Sequence, residues 1–236
     1  MRLPRALPRG RNALPREVVL VSQRRRLLEA VVESVAEKGY TSTTLADIVS
    51  RAGVSRGTFY ENFADKEECF LAAYIAGSRT LFEQVEDAGR ALDDPADQLR
   101  AATREYLRVL SHEPSWCRAC LIDIGAVGPG AHDRRREVNG WYIGLLRRWH
   151  EQAATVLAVG RDVPDAAFGA AVAAVNDMVA TRVRLAPSET LRGLEDDILY
   201  IELSLLGGVG LGRLNLVPAA QGKASERGRD RHAMEG

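Results

Sequence analysis

The chain has 236 residues, of which 46% are hydrophobic and 27% charged, which is enough apolar content to bury a sizeable core in one or two domains. Its formal net charge is zero, yet Met1 to Lys66 carry ten arginines and two lysines against seven acids, a net +5, so the remainder carries −5. A basic end joined to an acidic body suits a molecule that meets phosphates at one end only, and the absence of any apolar run of about 18 residues excludes a membrane-spanning helix.

The first 26 residues set eight arginines against Glu17 alone, and an LPR triplet recurs at residues 3, 7 and 14. Prolines oppose helix formation, so residues 1–21 are expected to form a basic, disordered arm, which lies along DNA phosphates, enters a minor groove or is simply solvated. No apolar h-region follows the basic start, as a secretory signal would require, and the expected location is cytoplasmic. From Ser22 the pattern turns helical. Leu27, Leu28, Val31, Val35 and Ala36 form a stripe at helical spacing, and Gly39 is the expected C-cap.

Residues 41–70, TSTTLADIVSRAGVSRGTFYENFADKEECF, are the most informative stretch. Thr44 followed three residues later by Asp47 is a capping-box pair, and Leu45, Ile48, Val49 and Ala52 fall on one face of the helix it opens. Gly53 ends that helix. Ser55 caps another two residues on, whose Phe59 and Phe63 must point inward together. Two helices joined by a glycine-bearing turn make a helix-turn-helix, in which the N-terminal residues of the second helix enter the major groove. Arg56 has the fork to pair with guanine, Thr58 can meet a base edge or a thymine methyl, and Asn62 can match adenine or a phosphate. Gly57 costs roughly 1 kcal/mol as a helix former and suits close approach of backbone to DNA. Thr44, Tyr60 and Lys66 are placed to grip phosphates. Ser55 joins the DNA-binding set as the cap beside Arg56.

The run from Thr44 to Phe63, followed by Asp65-Lys66-Glu67-Glu68, resembles the DNA-binding domain of the TetR family of bacterial regulators. The pattern AGVS-x-GT-x-Y-x-x-F-x-x-K-E carries the resemblance, which extends over roughly residues 22–82. Val49 stands where the family usually has alanine, and Ala46 where a polar residue is common. What the resemblance implies is a homodimer reading a palindromic operator on double-stranded DNA, with the last two helices, near 164–185 and 190–207, joining the subunits. Repression, relieved by a small-molecule effector in the middle helices, is also implied. The effector itself is not identified, and no cofactor is expected.

Asp65 opens a longer helix expected to reach Asp87, and Gly89 to Pro95 breaks it. Further helices are expected near 96–111, 115–127, 130–159, 164–185 and 190–207, about nine in all with no convincing strand run, so the fold class is all-α. The expected organisation is an arm at 1–21, a DNA-binding domain at 22–82, a helical effector-binding and dimerisation domain at 83–216, and a disordered tail at 217–236. Candidates for an effector site are Tyr106, Trp116, Cys120, Asp123, Trp141, Tyr142, Asn176 and Met178, with Trp149 and Arg182 beside them; each is equally at home as core packing.

Cys117 and Cys120 form a CxxC between His112 and His132, so a thiol- or metal-sensing regulator is the alternative reading. A thiol-dependent enzyme is the rival from another class. The four histidines lie apart and no GxSxG, HExxH or P-loop spacing occurs, so no catalytic or metal site is expected.

Overall fold

Every regular element among the described residues, 16–157 and 162–206 of this computed structural model, is helical. The first, α1, spans Arg16–Lys38 and begins six residues before the expected start at Ser22. After Pro15 no proline or glycine occurs until Gly39, and Glu17 favours the positive end of the helix dipole, so nothing opposes helix there. Residues 16–21 of the expected arm are therefore helical; residues 1–15 of the arm and the tail at 217–236 lie outside the described residues.

Helix α2, Leu45–Ala52, starts at the expected capping box. Thr44 accepts from the Asp47 amide at 3.2 Å, and the Thr44 amide donates to Oδ2 of Asp47 at 2.9 Å. Gly53 ends it at φ 63°, a conformation that costs glycine little. Helix α3, Arg56–Tyr60, follows the Ser55 cap, and α4, Lys66–Gly89, follows the Asp65 cap. Helix α5 spans Pro95–His112 behind the Asp94 cap. The expected helix at 115–127 is split into α6, Pro114–Leu121, and a 3-10 turn at Asp123–Ala126, and Gly128 at φ 125° closes the segment. Helices α7, Pro129–Leu157, and α8, Asp165–Leu185, match expectation over their described length, residues 158–159 of the former expectation lying outside the described residues. The last expected helix is again divided, into a 3-10 turn at Ser188–Leu194 and α9, Glu195–Leu205.

Three apolar clusters hold these helices. In the first, Leu27, Val31, Ile48, Phe59, Phe63 and Phe70 are buried together, and Ala119, Cys120, Ile124 and Val138 from the body join them. Leu99, Trp149, Phe168, Leu199 and Leu203 form the second, and Leu81, Leu107, Leu110, Val179, Leu191 and Ile198 the third. Helix α4 runs unbroken through residues 82 and 83, so the expected domain boundary falls inside a continuous rod. That rod and the shared cluster join the body to the first three helices.

Candidate nucleic-acid interface and ligand cavities

The turn between α2 and α3 is fixed from several sides. Phe59 and Phe63 are 0% and 2% exposed, their ring centroids are 5.9 Å apart, and together they anchor the inner face of α3. From α1, Arg26 donates to the carbonyls of Ala52 and Gly53, placing a cation at the negative end of α2. Arg24 donates to the Asn62 carbonyl at 3.1 Å and stacks over Phe63 at 4.3 Å. Two arginines counted in the basic first 26 residues thus brace the motif through bonds within the chain.

What this frame presents outward is the start of α3. Ser55 accepts from the Thr58 amide at 3.0 Å, and its hydroxyl lies 3.0 Å from that of Thr58. Arg56 is exposed and makes no hydrogen bond or ion pair among the described residues, which leaves its guanidinium available. Gly57 is exposed too, and a Cβ there would meet only the Ser55 hydroxyl at 3.5 Å, so no contact within the chain demands glycine. Tyr60 is 60% exposed. Thr58 and Asn62 are half-buried, and Asn62 donates its side-chain amide to the Thr58 carbonyl at 2.8 Å.

Two of the expected phosphate contacts have internal work as well. The Thr44 hydroxyl donates to Asp47 at 2.7 Å. The Asp47 carboxyl is held well below the usual range, first by the Lys38 ammonium at 2.6 Å and then by the Thr44 amide and hydroxyl. Lys66 donates to the carbonyls of Tyr40 and Thr43, each at 2.8 Å, and lies over the Tyr40 ring at 4.1 Å, while desolvation lowers its pKa. An ammonium has three donors, so one N–H remains for an outside acceptor.

Among the described residues of the body, two cavities of about 310 and 390 Å³ share part of their lining, since Tyr106, Tyr142 and Asn176 line both. Trp149 lines the first, together with the buried Glu202 of α9; Trp116 and Cys120 line the second. Tyr106, Trp116, Cys120, Tyr142 and Asn176 are therefore brought together around these cavities. Four candidates are not. Asp123 points to the DNA-binding end, where its Oδ1 accepts from the Tyr40 amide at 3.4 Å. Trp141 packs against Phe82 and Arg79, Met178 against the third apolar cluster, and Arg182 donates to the Thr190 carbonyl. Helical spacing marks which side chains turn inward but not which of them meet a void.

Glu202 was missed. It stands in an apolar run, ILYIELSLL, and only its place at i+4 from Ile198, on the buried face, could have flagged it. The thiols are all buried. Desolvation pushes Cys69 and Cys117 up to about 12, and Cys120 well above its ordinary value. His112 is exposed and bonded to the Arg108 carbonyl, and no group of three metal-ligating side chains occurs among the described residues. A thiolate or zinc role has no support in this arrangement. No helix among the described residues is long and apolar enough to cross a membrane.

Residues 27–73 match the family described as bacterial regulatory proteins, tetR family. Among curated proteins, the chain is similar to the HTH-type transcriptional activator FasR of Mycolicibacterium smegmatis, 32% identical over 102 residues that cover 43% of this chain and 45% of that one. It is also similar to the fatty acid metabolism regulator protein of Bacillus subtilis, 31% identical over 51% of this chain and 62% of the relative. The chain thus spans about half the length of the curated relatives it matches. Two solved structures share the fold at 18% identity. FadR from Bacillus subtilis in complex with stearoyl-CoA aligns with a TM-score of 0.69 over 77% of this chain and 98% of that one. FadR from Bacillus halodurans aligns at 0.71 over 79% and 96%.

Proposed function

We propose, for a chain that belongs to the tetR family of bacterial regulatory proteins through its N-terminal domain, that it is a ligand-responsive transcription regulator binding a palindromic operator as a homodimer. The observation that carries this reading is the start of α3. A doubly anchored turn presents Arg56 outward and unpartnered, Gly57 gives the backbone room to approach, and Thr58 stands beside them. Arg56, Thr58 and Asn62 read bases. Thr44, Ser55, Tyr60 and the remaining N–H of Lys66 hold phosphates and fix register. The working division is residues 22–82 for DNA and 83–216 for effector and partner, with α4 as the rod between them.

A single short reading helix binds weakly, and a twofold pair places two of them roughly 34 to 36 Å apart on one face of DNA. Helix α8 exposes Ala166, Ala170, Ala173 and Thr181, and α9 exposes Tyr200 and Leu205, which suits close packing against a second copy. The effector occupies the cavities of the body. The second cavity is lined by Ile122, Ile124 and Gly125 beside Asp123, which bonds the Tyr40 amide, so an occupant displacing that 3-10 turn moves the α1–α2 turn directly. A 100-fold loss of DNA affinity needs about 2.7 kcal/mol of differential binding between the two conformers. One relative is named an activator and another, KstR2, a repressor; we favour repression by steric occupancy of the operator, in a cytoplasmic, non-enzymatic protein.

Selection of bound fragments from a random duplex pool tests the reading by giving half-site and spacing together. In fluorescence anisotropy, Arg56→Ala is expected to cost about 1–3 kcal/mol on the selected site and little on random duplex. A variant that binds both duplexes like the parent overturns the assignment of α3.

A further inference from the structure

We infer that the first cavity takes an apolar molecule carrying a protonated amine, with Glu202 as its counter-ion; this deepens the effector role proposed for that cavity. Glu202 lies on the inner face of α9 at 8% exposure, and its Oε2 has no hydrogen-bond partner among the described residues. Buried carboxyls are ordinarily paired or bonded, and an orphaned one lining a void marks a place where the missing partner arrives from outside. The Tyr142 hydroxyl, which also lines this cavity, is likewise buried and unpartnered.

The sign of the ligand's charge follows from what is already neutralised. The cavity wall carries two cations, and both have anionic partners. Arg148 pairs with Glu86 at 2.7 Å, and Arg90 pairs with Asp87 at 2.8 Å. Glu202 is the lining acid left without a partner among the described residues, so its ionised form has no counter-ion in the wall and an entering cation would supply one. Around it stand Tyr106, Tyr142 and Trp149, whose ring faces attract cations as well as alkyl groups. A fatty anion would find both arginines engaged and could take only the single O–H of the neutral Glu202 acid, with no cation to pair its charge.

Burial raises the Glu202 carboxyl to about 8, so the empty cavity holds it neutral at pH 7. When the amine enters as its ammonium, Glu202 gives its proton to solvent, and the charge pair replaces a neutral acid. The other titratable lining groups are the two tyrosines and the engaged Glu86, Arg90 and Arg148.

Decylamine, 1-decanol and decanoate share a chain length and differ in head group, and their binding to the full chain is read by tryptophan emission. Decylamine is expected to bind at least about tenfold tighter than the other two, the increment of a charge-assisted hydrogen bond. Glu202→Gln keeps the shape and the neutral ground state; it is expected to lose that preference while holding decanol affinity. Calorimetry in two buffers of different ionisation heat is expected to register about one proton released by the parent and none by the variant. Decanol or decanoate binding as tightly as the amine, or a variant that keeps the amine, overturns the inference. DNA binding separates it from the wider reading. Glu202-dependent amine binding that leaves duplex affinity unchanged preserves the site and removes its effector role, whereas DNA release by decanoate preserves the effector role and removes the amine.

Discussion

Replacing Lys66 by methionine keeps the aliphatic stem and deletes only the ammonium that ties the α1–α2 turn to the start of α4. The two hydrogen bonds, to the Tyr40 and Thr43 carbonyls, are each 2.8 Å long and the cation lies 4.1 Å above the Tyr40 ring. Taking about 1 kcal/mol net per bond and roughly 0.5 for a half-exposed cation–π contact, the loss is about 2 kcal/mol. With a urea dependence of about 3 kcal/mol per molar for a chain of this size, the unfolding midpoint should fall by roughly 0.7 M. The same variant is titrated with operator DNA at several salt concentrations. If the third N–H holds a phosphate, the salt slope falls by about 0.9 as well. A midpoint equal to the parent's would refute the bracing role, whatever the slope does.

Burial holds the Glu202 carboxyl at about 8 against its ordinary 4.5. Between those values the folded state keeps a proton that the unfolded state has released, so stability is complete below pH 4.5 and falls by up to ~1.4 kcal/mol per pH unit as pH rises towards 8. Glu202→Gln should flatten that slope in urea midpoints measured from pH 5 to 8, and a parent curve already flat counts against the buried acid. Gly77→Ala would set a Cβ 2.1 Å from Nε1 of Trp116, so the indole must leave its place in the second cavity. The expected cost is about 1–3 kcal/mol with a shift in tryptophan emission, and an unshifted spectrum would contradict the contact. All three thiols should resist a disulfide reagent at pH 8 in the native protein and titrate together only on unfolding, because each is buried and its thiolate disfavoured. Rapid native modification of Cys117 or Cys120 would reopen the sensor reading.

Local chemistry was legible in the sequence wherever it acts over a few residues. Thr44 with Asp47, Gly53, Ser55 and Asp65 each fix a helix end through a bond closed within four positions, so the helix-turn-helix and its outward residues could be read directly. The inward faces of the longer helices followed from apolar spacing, which is equally local. Three things needed the tertiary structure. Arg24, Arg26 and Lys66 look like surface cations in sequence, yet their partners lie 23 to 38 residues away. Asp123 sits among cavity-lining residues in sequence but turns to Tyr40, 83 residues back, because the 3-10 turn rotates it out of the helical register. Glu202 reads as one acid in an apolar helix, and only the packing of α4, α5, α7 and α8 around it encloses a void lined by a carboxyl without a partner among the described residues. Sequence determines where helices start, stop and turn their apolar sides, since those energies are settled between near neighbours. Which polar groups meet, and which are left facing a cavity, depends on how distant helices pack, and no spacing along the chain encodes it.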